Sequence, residues 1–319
     1  MKHKRFYFYN LTVFMLCVLL FSACHTTQLP KSQSLSVLSW NIWHAGHSQY
    51  YPQKGCEGII GILKKSQADV ILMIETYGAA PRLADTLGYH YHLLSNNLCI
   101  FSRYPITRTF TFPNLIGTFN FGGVEIMMNG TPVRLFDTWL HYLPDMRLVP
   151  THLTEKEILA WEDAGTRDDE IRKIITALQP FLTQTDSIPL IMGGDFNGHS
   201  HLDWTTKTKH LYNHRGAVVN WTVSKELEAA HFKDSFRELH PNPAKHLGAT
   251  WLTDADSLET PNRQDRIDFI YYQGKNIKAV ESATYNTLLG QPFRFKGETF
   301  LYASDHGFVQ TTFRIKRSK

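Results

Sequence analysis

A chain of 319 residues with 43% apolar content is long enough to bury one large core or two small ones, and the absence of any repeating period excludes a solenoid array. Its formal charge of +4 belongs largely to the first few positions, since removing Lys2, Lys4 and Arg5 with the N-terminal segment brings it to +1. A nearly neutral remainder lacks the general basic excess of a nonspecific nucleic-acid binder, although a local patch fits inside a neutral total.

In chain order, Lys2, Lys4 and Arg5 precede an apolar run from Phe6 to Phe21 that ends in Ser22-Ala23-Cys24. A positive start, an apolar stretch and small residues at its end predict a secretory signal over residues 1–23. Cys24 resembles the lipobox cysteine of bacterial lipoproteins, which is acylated after cleavage, with Phe21 where leucine is usual. The expectation is an exported protein anchored in a bacterial cell envelope, on the outer membrane or facing the periplasm; an uncleaved N-terminal anchor is the alternative. Residues 24–34 read as a polar tether, and 35–317 as a single domain without an internal linker. Cys56 and Cys99 are the cysteines left beyond Cys24. Export permits a bridge between them, burial of both as free thiols is the commoner outcome, and the lack of CxxC spacing argues against zinc.

Ser36 to Trp43 reads as a first strand, Ile59, Ile60 and Leu63 as a helical stripe, and Asp69 to Ile74 as a second, buried strand. Leu98 to Phe101, Val124 to Met128 and Val133 to Thr138 read as further strands joined by short turns. Strands that follow one another without helices pair antiparallel, so the sheets are expected to be mixed. Thr166 and Asp169 suggest a capping box, and Ile171, Ile174, Ile175 and Leu178 mark one face of a helix that Pro180 is expected to end. Ser224 to Ala230 reads as a short helix, and Thr250 to Leu252, Ile267 to Tyr272 and Gly307 to Phe313 as late strands.

The most informative stretch is Gly193-Gly194-Asp195-Phe196-Asn197-Gly198, which follows the apolar run Ile188 to Met192. A buried strand ending in a glycine-flanked turn aims one carboxylate and one carboxamide from a rigid edge. Oxygen ligands of this kind suit a hard cation such as Mg²⁺ beside a phosphate; Gly, Asp and Asn also collect in ordinary turns. Other polar residues share the setting. Asn41 and Glu75 end strands, Asp268 lies inside Arg266-Ile-Asp-Phe-Ile270, and Asp305-His306 precedes the last strand.

Taken together, Trp40-Asn41, Ile74-Glu75-Thr76, Phe101-Ser-Arg-Tyr-Pro-Ile106, Gly194-Asp-Phe-Asn197, Thr250-Trp251, Arg266-Ile-Asp-Phe-Ile270 and Ser304-Asp-His306 resemble the endonuclease/exonuclease/phosphatase superfamily. Its members include deoxyribonucleases, apurinic endonucleases, neutral sphingomyelinases and inositol polyphosphate 5-phosphatases. The resemblance implies an α/β four-layer sandwich, in which two packed mixed β-sheets are flanked by helices and the site lies at one edge. It implies a metal-dependent phosphoric ester hydrolase using Mg²⁺, with Mn²⁺ as the substitute.

Carried over by residue, Glu75 is the main metal ligand with Asn41 and Asp305 nearby. Asp195 and Asn197 position the phosphoryl group and the attacking water, and Asp268 holds the imidazole of His306. The general base stays open between His306 and Asp195. Relatives carry Thr-His after the central strand, where this chain has Thr138-Trp139-Leu140-His141-Tyr142. Either His141 supplies the phosphate donor from two residues later, or Trp139 puts an apolar wall there.

His44, His47, His199 and His201 flank the expected site as surface loop residues, with His199 a donor to phosphate and His199-x-His201 more often unliganded than a second metal site. Trp251, with Trp204, Trp221 and Tyr77, either walls a substrate pocket or belongs to the core. A small or lipid-linked phosphoester is the favoured substrate. An exported nuclease acting on DNA is the alternative, and a non-catalytic binding lipoprotein is the reading from another class.

Overall fold

In β1 (Ser32–Asn41), Leu35 and Val37 point one way, Leu38 and Trp40 the other, and all four are fully buried. A strand buried on both faces must lie inside a layered structure, and the two sets do pack into different cores. The computed structural model describes residues 32–46, 54–212, 214–251 and 265–317. The expected signal segment 1–23, Cys24, most of the expected tether, His47 and Leu252 lie outside them.

One six-stranded sheet runs in the order β11 (Ile277–Tyr285), β14 (Phe308–Lys316), β1, β2 (Val70–Ile74), β4 (Cys99–Ser102), β3 (His90–Leu93). The other runs β5 (Ile106–Phe110), β6 (Phe121–Met128), β7 (Thr131–Trp139), β8 (Leu190–Asp195), β10 (Asp268–Gln273), β9 (Lys233–Asp234). Each sheet has one parallel pair, β1 with β2 and β7 with β8, and its remaining pairs are antiparallel. The parallel pairs are the ones joined through helices, α1 (Gly55–Ser66) and α4 (Arg167–Leu182), because a parallel return needs a crossover.

The sheets pack face to face over Leu35, Val37, Val70, Leu72, Val133, Leu135, Ile191 and Ile270. Helices α1 and α2 (Ala80–Leu87) cover the outside of the first sheet, and α4 and α5 (Thr222–Ala229) that of the second. The result is the four-layer α/β sandwich. Among the described residues no helix is long and apolar enough to cross a membrane.

Several local expectations are corrected. Ser32 to Ser34, read as tether, already belong to β1 and pair with Lys316 to Arg314. Helix α4 runs two residues past Pro180 to Leu182. Thr166 has helical φ/ψ, so its hydroxyl misses the backbone N–H groups and meets Glu170 Oε1 at 2.9 Å. The capping box is found instead at Thr154 and Glu157, opening α3 (Glu155–Glu162).

Gly193 and Gly194 lie within β8 and not in a turn. A Cβ on Gly193 would stand 2.7 Å from Leu72 Cδ1 of the facing sheet, and one on Gly194 (φ +150) would overlap the Thr138 carbonyl oxygen. These glycines permit close approach of backbone, the second use of glycine in strands. Cys56 and Cys99 are buried free thiols.

Candidate active site

Strand parity carries the polar residues to one edge. Residues 35, 37, 39 and 41 of β1 share the face that meets the second sheet, as do 133, 135, 137 and 139 of β7, 191, 193 and 195 of β8, and 268, 270 and 272 of β10. Each row is mainly apolar until its terminal residue at the edge, which is Asn41, Trp139, Asp195 or Asp268. The inter-sheet core therefore opens onto a polar cluster with one aromatic neighbour.

Asn41 links the sheets. Its Nδ2 donates to Asp195 Oδ2 at 3.1 Å and lies 3.2 Å from Glu75 Oε1, while its Oδ1 accepts from Trp43 N. Glu75 follows β2 with φ 61, a left-handed conformation rare for a residue with a Cβ. The bend is held by Asn97, whose Oδ1 accepts from Glu75 N at 3.1 Å, and by His44 N, which donates to Glu75 Oε2 at 2.9 Å. Asn197, also left-handed at φ 47, donates from its backbone N to Asp195 Oδ1 and from Nδ2 to the Leu140 carbonyl.

His306 faces this group from the turn before β14. Its Nδ1 lies 3.0 Å from Asp268 Oδ2, and its Nε2 lies 3.7 Å from Asp195 Oδ2 and 4.0 Å from Asp305 Oδ1. Ser304 ties the turn to β1, donating to the Asn41 carbonyl at 2.7 Å while its hydroxyl accepts from His306 N. Thr250 Oγ1 accepts from Asp268 N at 3.0 Å and fixes the other side of the pair.

The charges are mutually dependent. Burial alone would lower the imidazole pKa, but Asp268, Asp195 and Asp305 outweigh it and hold His306 well above the ordinary histidine range. Burial raises the carboxyl of Asp195, with His306 opposing and Asp268 reinforcing that shift. Asp195, Asp268 and His306 form a group whose ligand atoms lie within 4.8 Å of one another. Asp268 Oδ1 is buried without a hydrogen-bond partner among the described residues. Glu75 adds a further carboxylate across Asn41, and this oxygen-rich donor set suits a hard divalent cation.

The remaining expected residues are divided. Asn197 and Trp251 line a small cleft of about 70 Å³ with Tyr142, Arg147 and Ile267, and the Arg147 guanidinium lies 5.6 Å from the Trp251 ring. His141 stacks on Tyr142 at 4.9 Å, and its Nδ1 accepts from Leu143 N. His199 is not a surface residue. Its ring is 2% exposed, stacked on Trp204 at 4.9 Å, with Nδ1 3.5 Å from Asp265 Oδ1. Burial, then His214 and Arg167, push its pKa well below the ordinary value, so it is a neutral packing residue. His201 turns to Ser224 and Glu228, so the two histidines do not converge on one ion. Trp204 and Trp221 are core, whereas Tyr77 is exposed beside His44.

Sequence reasoning passed over Asn97 and Arg167. Arg167 is buried and donates to the carbonyls of His141 and Pro144, so it holds the loop after β7 from below. The signal for Asn97 was only its position directly before a strand.

A family model described as the Endonuclease/Exonuclease/phosphatase family matches residues 38–306, from β1 to the site histidine. The chain belongs to this family. As a member it is a metal-dependent phosphoric ester hydrolase. It is similar to an uncharacterized protein of Caenorhabditis elegans, 29% identical over 314 residues, covering 92% of this chain and 96% of the relative. Truncated TDP2 of Caenorhabditis elegans is similar in structure, with TM-score 0.56, 17% identity and coverage of 88% of this chain and 97% of that one. TDP2 of D. rerio, complexed with a single strand DNA product, gives TM-score 0.53 at 16% identity, covering 88% and 99%. At these identities the two structures show the common family fold.

Proposed function

We propose that the chain is an exported, Mg²⁺-dependent phosphoesterase that hydrolyses a P–O bond of a small or lipid-linked phosphodiester or phosphomonoester. The observation that carries this reading is the His306 imidazole held between Asp268, at 3.0 Å, and Asp195, at 3.7 Å, on the edge where Asn41 and Glu75 also end. Glu75, with Asn41 and Asp305 nearby, would hold the cation, and Mn²⁺ would substitute. When bound, the cation supplies charge that offsets the developing negative charge on the phosphoryl oxygens.

The chain's own residues handle the protons. Asp268 occupies Nδ1 of His306 and fixes the ring, so Nε2 is the atom that donates to a phosphate oxygen. Asp195, a buried carboxylate with a raised pKa, takes the proton of the attacking water. Asn197 orients Asp195 through both its backbone N–H, to Oδ1, and its Nδ2, to Oδ2 at 3.2 Å, and it lines the cleft.

The single strand DNA product in the D. rerio TDP2 structure favours a second reading, a nuclease, against which the near-neutral charge of residues 24–319 counts. A panel of sphingomyelin, bis-p-nitrophenyl phosphate, p-nitrophenyl phosphate and plasmid DNA, with Mg²⁺ or EDTA, tests both. Hydrolysis of a small or lipid ester supports the first reading, and nicking of plasmid alone supports the second. No Mg²⁺-dependent hydrolysis of any of them overturns both. Export and acylation rest on the residues preceding the sandwich, and loss of radiolabelled palmitate from a Cys24→Ser variant expressed in a bacterium is the expected result.

A further inference from the structure

A cavity of about 480 Å³ lies on the outside of the second sheet, bounded by β9, β10, α5, the short helix α6 (Ser235–Leu239) and the segment 201–207. Tyr271 of β10 lines it. Side chains alternate along a strand, so Tyr271 joins the outer core with Phe269 and points away from the face that carries Asp268. The sheet itself thus separates the cavity from the His306 group. Its volume is that of a small-molecule site, and Leu202, Phe232 and Pro243 give it apolar walls.

The carboxylates that line the cavity are already engaged. Glu228 pairs with Lys225 and lies 3.4 Å from His201 Nε2, while Glu238 accepts from the Tyr272 hydroxyl and lies 3.5 Å from Lys233. Asp234 accepts at Oδ1 from Phe236 N and Arg237 N, and its Oδ2 lies 2.7 Å from Arg266 Nη1. Donors, by contrast, are left over. Tyr271 is 4% exposed, and its hydroxyl has no hydrogen-bond partner among the described residues. Burial, reinforced by Asp234, pushes this phenol well above its ordinary range, so it stays a donor. Arg237 spends its terminal nitrogens on Asp203 and on the carbonyls of His240, His246 and Leu247, but its Nε is buried without a partner among the described residues. The exposed Lys207 has no ion pair among them either. A buried donor without an acceptor is costly, and an acceptor in the cavity removes that cost.

We propose that this cavity is a second binding site, for a small monocarboxylate with an apolar body. The carboxylate accepts from the Tyr271 hydroxyl and pairs with Lys207, and the body lies on Leu202, Phe232 and Pro243. An alkyl chain and an aryl ring both suit such walls, so the shared chemistry is an apolar acid. Neither the metal ligands nor His306 take part, and the site is independent of the phosphoesterase reading.

The test is calorimetry on the protein in EDTA with octanoate, phenylacetate and, as the cationic counterpart, phenethylamine. At least one acid is expected to bind about tenfold more tightly than the amine, the order that one hydrogen bond to a charged acceptor provides. Preference for octanoate identifies an alkyl acid as the source, preference for phenylacetate an aryl acid, and equal affinities admit both. Tyr271→Phe keeps the ring on Phe196 and Phe269 and removes only the hydroxyl. It should weaken acid binding about tenfold without lowering Tm, because the hydroxyl has no partner to lose. Lys207→Gln should weaken it severalfold at low salt. His306→Ala should leave it unchanged. An amine that binds as tightly as both acids, no acid binding at all, acid affinity unchanged in both Tyr271→Phe and Lys207→Gln, or acid affinity lost in His306→Ala overturns the site. Because binding is read without metal or turnover, failure of the phosphoesterase reading is seen separately, as the absence of Mg²⁺-dependent hydrolysis.

Discussion

Asn41 Nδ2 lies 3.1 Å from Asp195 Oδ2, and this hydrogen bond between residues 154 apart in the chain joins the ends of β1 and β8 across the two sheets. The same amide nitrogen is 3.2 Å from Glu75 Oε1. A neutral donor therefore separates two carboxylates that would otherwise repel, at the place where a cation is expected. Replacing that donor by another carboxylate should make folding depend on metal. Asn41→Asp is expected to lower Tm by several degrees in EDTA and to regain most of it in millimolar Mg²⁺, followed by thermal melts with and without the ion. Glu75→Ala should lose most of the Mg²⁺ response of both Tm and hydrolysis, and an undiminished response would remove Glu75 from the metal site.

His306 is the group expected to matter for turnover and not for the metal. His306→Ala should reduce hydrolysis of bis-p-nitrophenyl phosphate by about 10²–10⁴-fold, the usual range for one positioned proton donor. Calorimetric Mg²⁺ binding should be retained. Asp268→Asn, which keeps the shape of the pair at 3.0 Å but removes its charge, should give a smaller loss. Wild-type turnover in His306→Ala would exclude it from the reaction.

Gly194 tests why the motif has two glycines. At φ +150 with the Thr138 carbonyl where a Cβ would stand, alanine brings both backbone strain and overlap. Gly194→Ala is expected to cost about 1–3 kcal/mol, as overpacking does, and hence on the order of 5 °C in Tm for a protein of this size. Gly117→Ala, where nothing lies within 4 Å of the new Cβ, serves as the near-neutral control.

Beneath the loop that carries His141 and Tyr142, Glu162 is buried with Arg167, Nε to Oε1 3.7 Å. Burial, reinforced by Asp168 and opposed by Arg167, pushes the Glu162 carboxyl up to about 7 from 4.5. A carboxyl whose folded pKa is raised binds its proton more tightly in the folded state, so its contribution is present at acid pH and is lost as pH rises from about 4.5 to about 7. Urea denaturation of Glu162→Gln should show a flatter stability profile than wild type across that window. Parallel profiles would mean that Glu162 is already ionised at pH 5.

Much of the architecture is legible in the sequence because buried strands announce themselves. The runs at Val70–Ile74 and Leu190–Met192 are apolar on both faces, and the helix of Ile171, Ile174 and Leu178 follows a clear 3.6 period. Short amphipathic pieces were not legible. Helices α2 and α3 and strands β3, β5, β12 (Pro292–Phe295) and β13 (Glu298–Leu301) have partly exposed faces and take their conformation from what they pack on.

The sequence by itself determined which chemical groups are available and that each stands at the end of a buried strand. Asn41, Glu75 and Asp195 close apolar runs, Asp268 and His306 stand just before them, and the ordered resemblance to the family marks the five as site residues. Only the tertiary structure decided which ends meet. It buried His199 between tryptophans, turned His201 away from it, set Asn97 between Glu75 and Phe119, and stood Trp139 beside Asp195. Those relations depend on strand register and on the close approach allowed at Gly193 and Gly194, and register between distant segments is fixed by packing rather than by local spacing.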